Sequence, residues 1–539
     1  MDGGDVERDL PNARDDGVGP DSDNTAQRRR SLVFLDGLAL VVGLQIGSGI
    51  FSSPSVVSSH VDSPSAAILV WLLAGLLVWS GASTIAQLGS AMPTDGGIQE
   101  YLLRCYGDFP AFIFVWVWIF LAKPCANAMA SFIFAEHFCK LIWDVEDANG
   151  GRANTVVALF GLVLVTLINC RGATSGARVA NVFLALKLST LVSIIVSGLC
   201  FIRLSRWHSG REDWNSMLSS QASTDTIIAD NLKDQPSNIT SLPAGEFTSA
   251  VFGALFAYGG WENVGFLAGE LENASQNLPR IINSAMIISI SCFILMNATL
   301  YAVLPIDVLR NTNKVAVVFG AKVFGKIGED VYSILVMISC IGSINASTFA
   351  IGRLTYRAGK RSHLPRVLGT PWRETISRRW LANTSYRWPR LSLTRPDVLW
   401  RLRRFNGPAD RAINPVYAMI FNASITGIFI LLGSFRGLVT FKGISEYSVY
   451  AVTCFGSLLL PENPADATSS PLLGYSAPSG PSRTYRTYVA NPIIFTLVST
   501  ALVIRGILSE PWIGLGLVSI VAVGRVVYVW KKSRVVERS

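Results

Sequence analysis

Twelve runs of mostly apolar residues constrain this chain more than any other feature. A helix needs about 20 such residues to cross the hydrocarbon core of a bilayer. The runs cover residues 33–57, 66–91, 110–140, 153–170, 177–202, 247–267, 281–304, 328–352, 415–434, 437–460, 489–508 and 512–530. Only 15% of the residues are charged, against about 25% in soluble proteins. The sequence therefore predicts an all-α polytopic membrane protein with 12 transmembrane helices.

Basic residues between the runs predict which loops face the cytoplasm. Lys and Arg are enriched in cytoplasmic loops, and residues 353–411 hold fifteen of them against three acidic residues. With these residues inside, both termini are cytoplasmic. The loop 203–246 then lies outside and carries a glycosylation acceptor at Asn238. The plasma membrane is the expected location.

This orientation divides the chain into three parts. Residues 1–30 are acidic and rich in Gly, Pro and Asn, a composition typical of a disordered tail. Residues 31–530 are predicted to form one transmembrane domain, with a cytoplasmic insertion at 367–411, and 531–539 form a short cytoplasmic tail.

Two of the runs contain paired glycines at mid-depth, Gly47 and Gly49 in the first and Gly259 and Gly260 in the sixth. Glycine in a helix costs about 1 kcal/mol relative to alanine, so both helices are expected to break there. Close packing through small residues is the alternative for either motif alone. Two helices that are five spans apart cross the membrane in opposite directions. Spans 1–5 and 6–10 are therefore predicted to be inverted repeats, followed by two extra C-terminal helices.

Paired breaks at this depth are typical of the substrate site of a secondary transporter. Backbone N–H groups and the positive end of a half-helix suit a carboxylate, and exposed carbonyl groups suit an ammonium. A free amino acid carries both groups. The sequence therefore favours an amino acid as substrate.

Other classes of function find little support in the sequence. The eight cysteines and four histidines are scattered without the spacing of a metal site, so no metal and no cofactor are expected. No nucleophile and base are paired as in an enzyme. The net charge of +9 is concentrated in residues 353–411, so it does not indicate nucleic-acid binding.

Three motifs carry a family resemblance: GLQIGSGIFSSPSVV, LFAYGGWENVGFLAGELENASQNLPR and SCIGSINASTFAIGRLTYRAGKRSHLPRVL. They resemble the amino acid–polyamine–organocation superfamily and, within it, the L-type amino acid transporters in the form found in fungi. The resemblance covers about residues 31–366 and 412–530. It implies a secondary transporter of L-amino acids, chiefly large neutral ones, that works by sodium-independent alternating access as an exchanger or a proton-coupled carrier.

The resemblance also implies a substrate site built mainly from backbone groups of the two breaks. The N–H groups of Ser48 and Gly49 would bind the substrate carboxylate, and carbonyl groups of both breaks would bind its ammonium. Phe256 matches the aromatic gate of the family. The implied substrate-binding residues are Ile46, Gly47, Ser48, Gly49, Phe256, Gly259, Gly260 and Glu262.

Lys187 lies deep in the apolar fifth run, where a lysine costs about 2.5–3.5 kcal/mol on insertion scales. A snorkelling lysine is the alternative, although its depth opposes this. The resemblance places Lys187 where sodium-coupled relatives hold a cation. Its ammonium is expected to replace that ion, near Gly47 and Ser343 or Ser347.

Glu262 departs from the family, because many members have a neutral amide at this position. A carboxylate there would favour a proton-coupled cycle or tune the side-chain preference. A salt bridge to Lys187 or Lys123 is the alternative. The Lys123-Pro124 pair resembles a basic-Pro pair of the family and is interpreted as structural.

Two further expectations concern partners and competing functions. Animal L-type transporters join a single-span glycoprotein through a cysteine between the third and fourth spans. Residues 141–154 contain no cysteine and Cys139 precedes them, so a disulfide-linked heavy chain is not expected. The competing functions are a polyamine or cation carrier of the same superfamily and a non-transporting nutrient receptor on the same fold.

Overall fold

The computed structural model is helical throughout its regular elements. It describes residues 33–92, 96–143, 152–171, 173–208, 244–263, 265, 271–312, 314–370, 415–433, 435–459 and 485–536. Several sequence predictions fall outside these ranges, namely those for the tail 1–30, Asn238 and nearly all of the insertion 367–411.

Sixteen α-helices form the described part of the fold. They are α1 (Phe34–Gln45), α2 (Gly49–Ser58), α3 (Pro64–Ala91), α4 (Ile98–Tyr106), α5 (Asp108–Val117), α6 (Lys123–Trp143), α7 (Arg152–Arg171), α8 (Ala173–His208), α9 (Ala244–Ala257), α10 (Ala274–Val303), α11 (Ile306–Asn311), α12 (Val315–Lys360), α13 (Val416–Leu432), α14 (Phe435–Leu459), α15 (Ala490–Ser509) and α16 (Pro511–Val536). A π-helical turn, Trp118–Ala122, joins α5 to α6, and a 3-10 turn, Arg366–Gly369, follows α12.

Each of the twelve predicted runs contains helix, which confirms the all-α polytopic architecture. In the described ranges, eight helices are long and apolar enough to cross a membrane, or nine if the bent pair α1 and α2 counts as one span. The three remaining runs contain α9 and α13, which are shorter apolar helices, and α14. The short length of α9 and α13 therefore accounts for two of the three missing spans.

The helices of the first four runs pack against those five runs later. Helix α2 contacts α9, α3 contacts α10, α6 contacts α12, and α7 contacts α13. If spans 1–5 and 6–10 are two repeats packed together, each helix would contact the equivalent helix of the other repeat. These contacts agree with the inverted repeats, which remain a prediction.

The outer surface carries large apolar side chains, including Leu72, Val163, Leu295 and Val526. Exposed apolar area on this scale is not found on soluble monomers, whereas lipid tails solvate it. The last two helices contribute much of it, since α15 packs on α14 and α3 while α16 packs on α5, α14 and α15. They add to the outside of the bundle.

A polar cluster ties α4 to the end of α12. The side-chain amide of Gln99 donates to Nδ1 of His363 over 3.1 Å, and Nε2 of His363 donates to Asp108 over 3.0 Å. These partners fit the neutral imidazole with its proton on Nε2. Glu100 and Arg361 form an ion pair beside it.

Burial lowers the pKa of His363 below its ordinary value, and Arg361 and Lys531 act in the same direction, against the hydrogen bond and charge of Asp108. A lowered pKa means that the folded state binds the proton more weakly than the unfolded state. The unfolded chain therefore gains protons first as the pH falls through about 6.5. His363 should destabilise the fold in acid.

We predict that acidification from about pH 7.5 to about pH 5.5 lowers the thermal midpoint of the purified protein less in His363→Gln than in wild type. Glutamine keeps a hydrogen-bonding side chain and removes the titration. The control is the wild-type protein carrying Gln87→Ala, a substitution outside this cluster that changes no titratable group and should leave the acid-induced shift at the wild-type value. Equal acid sensitivity in His363→Gln and wild type would contradict the prediction.

Candidate functional site

The first run breaks where its glycines lie. Helix α1 ends at Gln45, α2 begins at Gly49, and the two axes bend by 40°. The N–H of Ile46 donates to the carbonyl of Val42 over 2.8 Å, and that of Gly47 to Gln45 over 2.8 Å. The first N–H groups of α2 have no acceptor within their own helix. They give the break a positive helix end.

The sixth run breaks directly after α9. The N–H of Tyr258 donates to Ala254 and that of Gly259 to Phe256, both over 3.3 Å. Gly260 then has φ of 109°, a conformation that glycine adopts without the penalty of a Cβ atom. The chain leaves the helix axis at this residue.

The two breaks touch through their backbones. A Cβ atom on Gly49 would lie 2.9 Å from Cα of Ala257 and 3.3 Å from the carbonyl oxygen of Phe256. A Cβ atom on Gly260 would lie 2.9 Å from the carbonyl oxygen of Leu44. Both positions therefore require glycine, because a side chain at either one would clash with the neighbouring backbone.

The structure brings the implied substrate-site residues together at these joined breaks. Ile46, Ser48 and Gly49 are buried on one side. Phe256 is half-buried on the other side, where its carbonyl oxygen adjoins Gly49. N–H groups at the start of α2 and a carbonyl group at the end of α9 thus lie at one location.

Glu262 binds Lys123 rather than Lys187. Its Oε1 lies 2.6 Å from Nζ of Lys123 and accepts from the amide of Asn263 over 3.0 Å. Its Oε2 accepts from the N–H of Gly260 over 2.9 Å. Both carboxylate oxygens are engaged, so Glu262 fixes the break after α9 to the start of α6.

Lys187 reaches the first break from α8. Its Nζ donates to the carbonyl of Gly43 over 3.1 Å and to Oγ of Ser343 over 2.9 Å. Ser343 in turn lies 3.2 Å from the Cβ position of Gly47. Of the two serines expected near Lys187, the structure brings Ser343 to it, whereas Oγ of Ser347 has no hydrogen-bond partner among the described residues.

Sequence reasoning missed a second buried ion pair, Lys442 and Glu446 of α14. Nζ of Lys442 lies 2.5 Å from Oε2 of Glu446, and both side chains are buried. The signal was present in the tenth run, because a Lys and a Glu four residues apart share one face of a helix. An ionisable residue in a membrane span is a functional candidate by default.

No group of three His, Cys, Asp or Glu side chains in the described ranges is placed to hold a metal ion. In the described ranges, the site therefore consists of the break between α1 and α2 and the end of α9, with lysines from α6, α8 and α14 around them. Backbone N–H and carbonyl groups are the available ligands. Such a site can bind a small zwitterion.

A polytopic all-α fold in which the break of the first span adjoins the end of α9 is the arrangement expected at the substrate site of a membrane transporter. A family model for amino acid permeases matches residues 32–511, and the chain belongs to this family. The expected resemblance is confirmed at this level, as is the prediction that the chain is a transporter and not an enzyme. Its function is amino acid transport.

Relatives among characterised proteins are similar over most of the chain. The b(0,+)-type amino acid transporter 1 of Homo sapiens is 27% identical over 491 residues, covering 90% of this chain and 84% of the relative. The large neutral amino acids transporter small subunit 2 of Oryctolagus cuniculus is 25% identical over 518 residues, covering 96% and 82%. The cystine/glutamate transporter of Homo sapiens is 28% identical over 349 residues, covering 65% of each chain.

We predict that Gly49→Ala lowers both the thermal midpoint in detergent and the rate of amino acid uptake. The added methyl group meets backbone atoms of Ala257 at 2.9 Å, and overpacking of this kind costs about 1–3 kcal/mol. The control is Gly427→Ala in α13, where the nearest atom is a Leu159 methyl group at 3.6 Å. That variant should be neutral or stabilised, since alanine favours a helix by about 1 kcal/mol. Shifts of the same sign would contradict the prediction.

We predict that Lys123→Met destabilises the protein by about 3–5 kcal/mol, because it leaves the Glu262 carboxylate buried without its cation. The double variant Lys123→Met/Glu262→Gln should recover part of this loss. Thermal unfolding of wild type, both single variants and the double variant gives the coupling energy. The control is Lys326→Met, since Lys326 is exposed and surface pairs contribute about 0–1 kcal/mol. A double variant no more stable than Lys123→Met would overturn this role.

Proposed function

We propose that the substrate amino acid binds at the joined breaks. Its carboxylate would accept from the N–H groups of Ser48 and Gly49 at the start of α2. Its ammonium would donate to carbonyl groups of Ile46, Phe256 and Gly259. The observation that carries this proposal is the backbone contact between Gly49 and the end of α9, which puts both sets of groups within reach of one small molecule.

The proposed substrates are large neutral L-amino acids. Backbone ligands at the breaks recognise only the groups that all amino acids share, so the surrounding side chains set the preference. Phe256 and the buried aromatic side chains Trp261 and Tyr450 lie near the break after α9. They offer apolar area to a large side chain, and one relative is named as a large neutral amino acids transporter.

Lys187 is proposed to replace a structural cation, so that transport needs no sodium. Its Nζ joins Gly43 of α1 to Ser343 of α12, which is a bridge that a bound cation could also make. Alternating access would then proceed as exchange or with proton coupling. The spans that carry the breaks would rock against the remaining helices around a fixed site.

The alternative of a polyamine or cation carrier rested on the charge of Glu262. That carboxylate is engaged by Lys123, Asn263 and the N–H of Gly260. The contacts thus favour a structural role for Glu262 and remove the main reason for a cationic substrate.

Both termini are proposed to lie in the cytoplasm, with the protein in the plasma membrane. Lys531 near the end of α16 contacts the carbonyl of Ser362 just after α12. The basic ends of two helices therefore lie on one side, which the positive-inside rule assigns to the cytoplasm. Cys139, the cysteine nearest the loop after α6, is buried, which agrees with function without a disulfide-linked subunit.

We predict that Lys187→Ala abolishes most uptake while expression and membrane insertion stay near the wild-type level, because removing a charge at mid-depth favours insertion. The measurement is uptake of labelled leucine into proteoliposomes loaded with unlabelled leucine, with sodium or with choline outside. Wild type should give equal rates in both. Lys187→Arg should not rescue, since a planar guanidinium cannot replace a compact ammonium.

The matched control is Lys326→Ala, an exposed lysine of α12 that should keep wild-type uptake. Full sodium-independent uptake by Lys187→Ala would contradict the assigned role of Lys187. Wild-type protein that moves none of the twenty amino acids, in exchange or in net uptake, would overturn the proposed substrate site.

A further inference from the structure

The Lys442–Glu446 pair of α14 lies among the buried charges around the break after α9. Its 2.5 Å contact is made within one helix, and its charges also interact with those of Glu262 and Lys123. The Lys123–Glu262 pair, in contrast, joins α6 to the break after α9. Burying two charges in an apolar span carries a desolvation cost that apolar residues of similar size would avoid. Buried charges in a membrane span are candidates for a functional role, and this pair lies beside the break.

Lys442 faces the break after α9. Its Nζ lies 3.4 Å from the Cβ position of Gly259 and 5.4 Å from the centre of the Phe256 ring. The ammonium therefore lies on the side-chain face of Gly259 and over the ring of Phe256. Glu446 lies one helical turn further along, next to Tyr447 and within two turns of Tyr450. Lys442 is the charged group of the pair nearest to the break.

The substrate side chain must leave the breaks towards another helix. If the carboxylate and ammonium of the substrate bind to α2 and the end of α9, those elements are occupied by its main-chain groups. Helix α14 packs against α9 and places Lys442 over Phe256. The side chain of a bound amino acid would thus meet the Lys442 ammonium at the wall that α14 forms.

We propose that Lys442 is a specificity-determining residue of the substrate site. Among large neutral side chains, its ammonium favours those that carry an oxygen acceptor such as a carboxamide, and it accepts a carboxylate better than a positive charge. Glu446 is its counter-ion, which keeps the wall neutral while an apolar side chain is bound. This inference rests on the proposed substrate site at the breaks and names the side-chain class that the site selects.

The test is competition for uptake of labelled leucine into proteoliposomes by unlabelled glutamine, glutamate and lysine. In wild type, lysine should compete at least about tenfold more weakly than glutamine, because the side-chain ammonium of lysine offers Nζ of Lys442 no acceptor, whereas the carboxamide oxygen of glutamine does. In Lys442→Gln, the Glu446 carboxylate loses its partner and a substrate ammonium can replace it. The strength with which lysine competes for leucine uptake should then rise at least about tenfold relative to that of glutamate.

The double variant Lys442→Gln/Glu446→Gln removes both charges and leaves two amides that can bond to each other. It leaves no buried unpaired charge, so it tests the proposal even where Lys442→Gln folds poorly. Lysine and glutamate should compete about equally for leucine uptake by this variant. The control is Lys326→Ala, which should keep the wild-type order.

Two results would overturn the inference. One is that lysine competes for leucine uptake by the wild-type protein as strongly as glutamine does. The other is an unchanged ratio of lysine to glutamate competition in the double variant while leucine uptake persists. Either result would leave the site at the breaks intact. Wild-type protein that transports no amino acid would instead remove the proposed site itself.

Discussion

The backbone contact between the two helix breaks is the constraint on which the rest of the structure depends. Inside a bilayer, unpaired N–H and carbonyl groups are tolerated only where protein or a cavity surrounds them. Gly49 lets α2 approach the backbone of Ala257, and Gly260 lets the chain after α9 approach Leu44. A side chain at either glycine would separate the breaks. The polar groups would then face lipid or apolar side chains.

Three lysines from three different helices surround these breaks, and each has a different partner. Lys123 binds the Glu262 carboxylate and so joins α6 to the break after α9. Lys187 binds a carbonyl group of α1 and a serine of α12. Lys442 binds a carboxylate of its own helix and lies against Phe256. The first two cross-link elements through hydrogen bonds, whereas the hydrogen bond of Lys442 stays within α14 and its ammonium lies beside the break after α9.

The sequence predicted the helices and the breaks, because both depend on local chemistry. Apolar run length gives a span, and paired glycines at mid-depth weaken it. The partner of Glu262 stayed open between Lys123 and Lys187, since choosing between them requires the packing of α6 on α9. Lys442 and Glu446 were missed although their spacing is a local signal. Their significance depends on which helix α14 faces, and periodicity alone does not give that.

The cross-links also restrict how the breaks can move. Separating a buried ion pair leaves an uncompensated charge, which costs about 3–5 kcal/mol, so a transport cycle that broke the Lys123–Glu262 contact would carry that barrier at every turnover. In a transport cycle that keeps this ion pair, the ion pair would be the fixed point about which α9 turns. Helix α9 would then swing about its own end, while Gly260 and Glu262 stay fixed to α6. In such a cycle, the break would supply the hinge, and the ion pair beside it would set the position of that hinge.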